Sequence, residues 1–216
     1  VNLKGLEAWA HLEGLYVLGC GTLNDVSSIS ALRELQYLNL GGVTALMDLK
    51  PLADLETLET LIIRQCGPSG LEPLSNLRRL DTLSLQYLWG LSDYSPLEHL
   101  SELRVLELLK NRDLVDLSFV SQLPKLEKLS LNSCAKVDDL QPLETATRLK
   151  WLSLSRLTKL EDLSPLERLV NLEKLYMARC AKVTDVSVLA QMTALHSLSL
   201  ERLTALESLT APETLN

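Results

Sequence analysis

Residues 126–143, with the sequence LEKLSLNSCAKVDDLQPL, contain the pattern that decides the fold. The segment opens with L-x-x-L-x-L and closes with D-L-x-P-L. Nine such units follow one another at intervals of 22 or 23 residues, and their opening leucines are Leu12, Leu35, Leu58, Leu80, Leu103, Leu126, Leu149, Leu172 and Leu195. A repeat of this length is one supersecondary unit that buries its apolar face only against its neighbours. The unit opened by Leu58 is one residue shorter at 67–70 (GPSG), where we expect a local irregularity.

Each half of the repeat predicts one kind of element. The alternation in L-x-L marks a short strand with one buried face. Units in register place these strands in a parallel sheet, about 4.8 Å apart. The other half, as in 162–166 (DLSPL), predicts a short α- or 3₁₀-helical turn, because Pro is tolerated in the first turn of a helix. We therefore expect an α/β solenoid, with a curved parallel sheet on the concave side and short α or 3₁₀ turns on the convex side.

The array fills residues 1–216 as a single domain and begins and ends in mid-unit. Residues 2–6 align with 48–52, and residues 209–212 align with 163–166. Solenoids need polar terminal caps for solubility, and no such cap is visible. We expect the chain to be a segment of a longer protein whose other domains cover the two ends.

Composition and motifs disfavour several function classes. The net charge of −7 argues against a general nucleic-acid binder. No run of 18 apolar residues is long enough to span a membrane, and no secretory leader precedes the repeats. The three histidines occupy different repeat positions, and no nucleophile-elbow, phosphate-loop or H-E-x-x-H motif occurs. We expect neither an enzyme nor a bound cofactor.

The four cysteines occupy one repeat position and are expected to be buried, reduced thiols. The nearest pairs, Cys20 with Cys66 and Cys134 with Cys180, lie two units apart. That spacing separates their Cα atoms by about 10 Å, which is too far for a disulfide. No C-x-x-C suggests zinc. Reduced thiols favour a cytoplasmic location, with the bacterial cell surface or secretion as the alternative.

In seven units an aspartate is the first residue of the D-L-S-P-L segment or its equivalent. We expect each carboxylate to accept hydrogen bonds from backbone N–H groups of the turn that follows. Cation binding by stacked carboxylates is the alternative. The seven residues are Asp25, Asp48, Asp93, Asp116, Asp139, Asp162 and Asp185.

The pattern L-x-x-L-x-L-x-x-C/N followed by D-L-S-P-L resembles the leucine-rich repeat family over essentially the whole chain. The D-L-S-P-L half resembles the internalin type, and the 23-residue length with Cys in the Asn position is similar to C-terminal arrays of bacterial NACHT/STAND signalling NTPases. Only Asn111 has the family's amide in the Asn column. We therefore expect apolar packing to replace most of the family's hydrogen-bonded ladder.

The exposed face of the sheet concentrates aromatic and basic residues. Counting each opening leucine as position one, the third, fifth, seventh and eighth positions are expected to face outward. They include five of the nine aromatic residues (three Trp, five Tyr and one Phe) and an excess of basic over acidic residues. The candidate partner-binding residues are Trp151, Tyr176, Arg156, Arg179, Arg202, Lys128, Lys174, Tyr37, Tyr87 and Arg64.

These residues predict a protein-recognition surface on the concave face. Tyr, Trp and Arg are enriched at binding hot spots, and arginines in consecutive units suit an acidic partner segment. The resemblance implies the sensor array of a larger bacterial signalling protein. An internalin-like adhesion or host-receptor binder is one alternative. A structural or intramolecular scaffold, whose concave face packs on its own chain, is the other. The same residues could also only solvate and stabilise the sheet.

Overall fold

A computed structural model describes residues 2–206, so the half-unit predicted at 209–212 lies outside the described residues. Nine strands form one parallel sheet in chain order. Each strand begins at the third repeat position, as the alternation predicted. The strands are β1 (Gly14–Leu18), β2 (Tyr37–Gly41), β3 (Thr60–Arg64), β4 (Thr82–Gln86), β5 (Val105–Leu109), β6 (Lys128–Ser130), β7 (Trp151–Ser153), β8 (Lys174–Ala178) and β9 (Ser197–Glu201).

Neighbouring strands pair through equivalent repeat positions along the whole sheet. Trp151, for example, stands opposite Lys128 on one side and Lys174 on the other. The parallel, in-register sheet predicted from the repeat is therefore confirmed. This register turns each repeat position into a column of side chains that runs across the strands.

The convex side consists of nine 3₁₀ helices within residues 2–206. Pro lies in the first turn of five of them, where its missing N–H leaves no hydrogen bond unmade. The helices are η1 (Leu6–Trp9), η2 (Ser27–Ala31), η3 (Lys50–Leu52), η4 (Glu72–Asn76), η5 (Ser95–His99), η6 (Ser118–Gln122), η7 (Gln141–Thr145), η8 (Ser164–Arg168) and η9 (Ser187–Gln191).

The aspartate column fixes the entry into these helices, as predicted. In all seven units Oδ1 accepts the backbone N–H two residues ahead, at 2.7–2.9 Å. Each aspartate thus closes a short side-chain-to-backbone turn. The backbone bond from the residue two ahead, followed by the serine hydroxyl, lowers the pKa of Asp25 and Asp185. At Asp93 the hydroxyl of Ser95 contributes most to lowering the pKa, and its backbone N–H follows.

Leucines fill a single continuous core between the sheet and the helices. In the sixth unit Leu126, Leu129 and Leu131, at the first, fourth and sixth positions, have no exposed surface. Adjacent units repeat this arrangement, so the core runs the length of the stack. No unit buries these leucines alone, which makes stacking the source of stability.

The Asn column packs with apolar side chains in most units, as predicted, but three of its residues donate hydrogen bonds to the preceding unit. Buried Asn111 donates to the carbonyl of Leu85 in the preceding unit at 2.9 Å and accepts the N–H of Leu88 at 3.0 Å. The thiols of Cys134 and Cys180 donate to the equivalent carbonyls of Leu108 and Leu154, at 3.0 and 3.1 Å. A buried thiol is a weak donor, yet here it satisfies the same carbonyl as the amide.

All four cysteines are free, as predicted, but Cys20 is exposed and not buried. The thiol ladder takes its carbonyl from the preceding unit, and within residues 2–206 no repeat packs on that side of Cys20. Its thiol instead lies 3.6 Å from the carbonyl of Leu18. Burial raises the pKa of Cys66 and Cys134 to about 12, so both stay protonated at neutral pH.

Replacing Asn111 tests how much the ladder contributes. We expect Asn111→Ala to lower the unfolding free energy by about 2–4 kcal/mol, because it leaves the N–H of Leu88 and the carbonyl of Leu85 without their hydrogen-bond partner. Asn111→Cys should cost less, since Cys134 and Cys180 show that a thiol reaches this carbonyl. Urea unfolding of the two variants measures the difference. Equal losses would mean that the thiols add nothing to the ladder.

Acid should weaken the turns that the aspartates close. A carboxylate with a lowered pKa in the folded chain stabilises it above the unfolded pKa of about 3.9, and that stabilisation disappears as pH falls through the folded value. Thermal unfolding should therefore become easier below about pH 4. The triple variant Asp25→Asn, Asp93→Asn, Asp185→Asn should show a weaker pH dependence of the melting temperature. An amide oxygen still accepts the backbone hydrogen bond but does not titrate.

The control for this series is Asp138→Asn, because the exposed Asp138 carboxylate accepts no hydrogen bond from residues 2–206. Melting temperatures between pH 2.5 and 6 give the comparison. A triple variant with the same pH dependence as the control would contradict the assignment.

Candidate functional site

The largest aromatic and cationic cluster lies on the strand face, defined here as the third, fifth and seventh repeat positions. Lys128 Nζ lies 4.8 Å from the centre of the Trp151 ring, and the Trp151 and Tyr176 rings are 5.5 Å apart. Lys128 also binds Glu107 Oε1 at 2.7 Å. All four side chains are partly exposed, so the cluster is held in place by internal contacts while it still faces solvent.

Lys174 completes the cluster from the next strand. It pairs in register with Trp151 and makes no ion pair within residues 2–206. The ammonium group of Lys128 is neutralised by Glu107, whereas that of Lys174 is not. The cluster therefore presents one uncompensated positive charge beside two aromatic rings.

A second aromatic pair lies at the amino-terminal end of the strand face. The rings of Tyr16 and Tyr37 stack at 4.7 Å, and Tyr16 is 62% exposed. Arg64 lies over Gly41, where an added Cβ would come within 2.8 Å of Arg64 Nη2. Arg64 Nε is buried without a partner. The sheet thus separates these residues from Trp151 by several strands.

The eighth position has the same unusual backbone in every unit. Its φ is positive, between 53° and 73°, in a region that L-residues rarely adopt. In the first eight units its N–H donates to the seventh-position carbonyl of the next unit, at 2.7–3.0 Å. The residues are Gly19, Gly42, Gln65, Tyr87, Lys110, Ser133, Arg156, Arg179 and Arg202. We call this column the carboxyl edge, because it follows the carboxyl ends of the strands.

This geometry revises the position expected for the arginine row. Arg156, Arg179 and Arg202 are exposed neighbours on the carboxyl edge, and none pairs with a carboxylate within residues 2–206. Arg156 follows Trp151 by five residues, which is about 16 Å along an extended strand. The row therefore borders the Trp151 cluster at the rim of the sheet and does not lie within it.

The opposite, amino edge of the sheet neutralises its basic residues with neighbouring carboxylates. Arg104 binds Glu127 at 3.0 Å and lies 3.8 Å from Asp81, and Lys150 binds Glu127 at 3.2 Å. These residues occupy the second repeat position in successive units. Acidic and basic residues alternate only from Asp81 to Glu173, and the whole column holds five carboxylates against two basic residues, so it leaves no free positive charge for a partner.

The structure brings some predicted site residues together and keeps others apart. Trp151, Tyr176, Lys128 and Lys174 form one cluster, with the three arginines at its rim. Tyr37 belongs to the Tyr16 pair, and Arg64 lies against Gly41. Tyr87 lies on the carboxyl edge, where Lys110 Nζ is 4.5 Å from its ring centre. Sequence reasoning missed the backbone of the carboxyl edge, although Gly19 and Gly42 in one column were a signal for it.

Residues 2–206 contain neither a metal-binding cluster nor a helix that could span a membrane. In residues 2–206 no three His, Cys, Asp or Glu side chains are grouped so as to hold a metal ion. None of the 3₁₀ helices described above is long and apolar enough to cross a bilayer.

Comparisons with known proteins agree with the repeat architecture. A family model described as Leucine Rich repeats (2 copies) matches residues 147–191. No curated protein sequence matches the chain.

Solved structures with the same architecture include two internalins of Listeria monocytogenes. InlC2 is 24% identical with a TM-score of 0.75, over 90% of this chain and 82% of its own. InlF is 23% identical with a TM-score of 0.66, over 90% of this chain and 69% of its own. The plant peptide hormone receptor RGFR1, in complex with RGF2, is 16% identical with a TM-score of 0.56, over 88% of this chain and 34% of its own. Together these matches show a leucine-rich-repeat solenoid.

The strained carboxyl edge predicts opposite effects for one substitution at two neighbouring serines. Ser133 has φ 65°, so Ser133→Gly should raise the unfolding free energy by about 0.5–1 kcal/mol by removing a Cβ clash. Ser155, whose carbonyl accepts the Ser133 N–H, does not have a positive φ. Ser155→Gly should lower stability by a similar amount, since glycine only adds unfolded-state entropy there. Urea unfolding measures both, and a loss at Ser133 would contradict the strain.

Proposed function

We propose, on the premise that the chain is a leucine-rich-repeat solenoid, that it is a non-enzymatic module that recognises a protein partner on its concave strand face. The observation that supports this most is the contiguous cluster of Lys128, Trp151 and Tyr176, which stays partly exposed although its members hold one another in place. Preorganised aromatic side chains bind at a low cost in conformational entropy. Trp and Tyr are also the residues most enriched at hot spots.

Charge suggests an acidic segment as the part of the partner that binds. Lys174 and the arginines of the carboxyl edge have no carboxylate partner within residues 2–206, whereas the basic residues of the amino edge do. Guanidinium groups form paired hydrogen bonds to carboxylates, and three in consecutive units offer donors about 4.8 Å apart. RGFR1, solved in complex with RGF2, is a ligand-bound example of a similar solenoid.

Two parent proteins fit such a module. In a bacterial NACHT/STAND-type signalling protein the solenoid would be the cytoplasmic sensor array, and an absent domain would act on the signal. The likeness to two Listeria internalins favours the second candidate, a surface or secreted adhesion protein that binds a host receptor. The complete reading frame separates them, because the first requires an upstream nucleotide-binding domain and the second a leader peptide with a wall anchor.

Exposed large apolar side chains at the amino-terminal end of the solenoid favour a covering domain in the parent protein. Trp9, Tyr16 and Leu18 are 62%, 62% and 52% exposed in the first unit. The equivalent positions of the second unit, Leu32, Asn39 and Gly41, are buried. We propose that another domain of the parent chain covers this end.

Binding should be lost when Trp151 of the cluster and Arg179 of its rim are replaced together. We expect the double variant Trp151→Ala, Arg179→Ala to retain almost none of the proteins that the wild-type chain captures from cells of its source. The far-UV circular dichroism should be unchanged and the melting temperature lowered by only a few degrees, because both side chains lie outside the core. Quantitative mass spectrometry of the captured proteins gives the readout.

Trp9→Ala is the matched control, because it removes an exposed tryptophan from η1, away from the strand face. It should leave capture unchanged. If the double variant captures the same proteins as the wild type, these side chains only stabilise the sheet and the proposed surface is wrong.

A further inference from the structure

A separate groove follows the carboxyl edge across the first five units. It encloses about 570 Å³, within the size range of ligand sites. Residues at the eighth to eleventh repeat positions line it, and the Trp151 cluster contributes nothing. The residues that matter for its chemistry are Gly19, Gly42, Tyr87, Trp89, Lys110 and Arg112.

Trp89 packs on a glycine of the short third unit. Trp89 and Gly67 occupy the tenth position of adjacent units, and the indole lies directly on Gly67. An added Cβ there would come within 2.4 Å of Trp89 Nε1 and 2.7 Å of Cδ1. Trp89 nevertheless remains 50% exposed. The indole thus packs on the irregular segment predicted at 67–70 and still faces solvent, and support of this kind is what a binding site requires of its anchor.

Two glycines open one side of the groove to close approach. Gly19 and Gly42 are consecutive on the carboxyl edge, with φ 67° and 73°. Seven other units tolerate a side chain at this position, so the backbone does not demand glycine here. Bare backbone in two adjacent units lets the main chain of a ligand come close.

The groove carries positive charge that the chain does not neutralise. Lys110 Nζ lies over the Tyr87 ring at 4.5 Å, and neither Lys110 nor the exposed Arg112 pairs with a carboxylate within residues 2–206. The one acidic residue of the lining, Asp113, is bound to Lys136 at 2.8 Å. Two free cations on a chain of net charge −7 favour an anionic ligand.

We propose that this groove binds a short acidic peptide segment of a protein partner, at a site independent of the Trp151 cluster. An apolar side chain of the peptide packs on Trp89, and its carboxylates pair with Lys110 and Arg112. Its main chain passes over Gly19 and Gly42. Gly67 acts as a positioning residue, because it sets the orientation of the indole without touching the peptide.

Selection from a random dodecapeptide display library on the full chain tests the proposal. We expect the selected peptides to carry Asp or Glu on both sides of an aromatic or aliphatic residue. Trp89→Ala and Lys110→Ser should each weaken binding of the best synthetic peptide by about tenfold or more. Serine suits position 110, because Ser133 has the same backbone in the next unit. Trp9→Ala and Trp151→Ala should leave the affinity within about twofold.

Gly67→Ala separates positioning from contact. We expect it to weaken the peptide by about fivefold or more and to increase acrylamide quenching of Trp89, with Trp9 and Trp151 replaced by Phe in the quenching experiment. Gly14→Ala is the control, because an added Cβ there meets nothing within 4 Å. Weakened binding with unchanged quenching would contradict the role of Gly67.

Four results would overturn the proposal. The selected peptides could lack acidic residues, or bind Trp89→Ala as tightly as the wild type. Selection could also yield no binder while neutral oligosaccharides bind in a Trp89-dependent way, which would make the groove a carbohydrate site. Peptides that lose affinity in Trp151→Ala but not in Trp89→Ala would support the strand-face proposal and reject this one.

Discussion

In-register stacking is the constraint on which every other feature of this solenoid depends. A unit buries its leucines only against the next unit, and the strands pair only when equivalent positions meet. The same requirement forces every repeat position into a column across the strands. Function can then be encoded by what an exposed column contains, since side chains on the strand face lie outside the leucine core that holds the units together.

The architecture and part of the site could be predicted from the sequence because both follow from this register. The strands, the aspartate turns and the contact of Lys128 with Trp151 needed only the repeat spacing. The ladder thiols and the exposure of Cys20 could not be predicted, since both depend on whether a preceding unit supplies a carbonyl. The packing of Trp89 on Gly67 could not be predicted either, because a one-residue deletion in the sequence does not reveal how side chains pack around it.

The two edges of the sheet divide the charges of the molecule in different ways. Along the amino edge, Arg104 and Lys150 both pair with Glu127, so neither basic residue of that column is left uncompensated. The carboxyl edge contains no carboxylate in any of its nine positions. A chain with a net charge of −7 thus keeps one rim positive, which is the charge that the proposed acidic partner requires.

The backbone of the carboxyl edge adds a further argument that its side chains are functional. Glycine adopts a positive φ without steric cost, yet only Gly19 and Gly42 use it, while Tyr87, Lys110 and Arg156 do not. Each such residue costs about 1–2 kcal/mol relative to an ordinary backbone. Strain of this kind persists at sites where the side chain matters. In the proposed groove the two glycines supply bare backbone, and Tyr87 and Lys110 supply a ring and a charge.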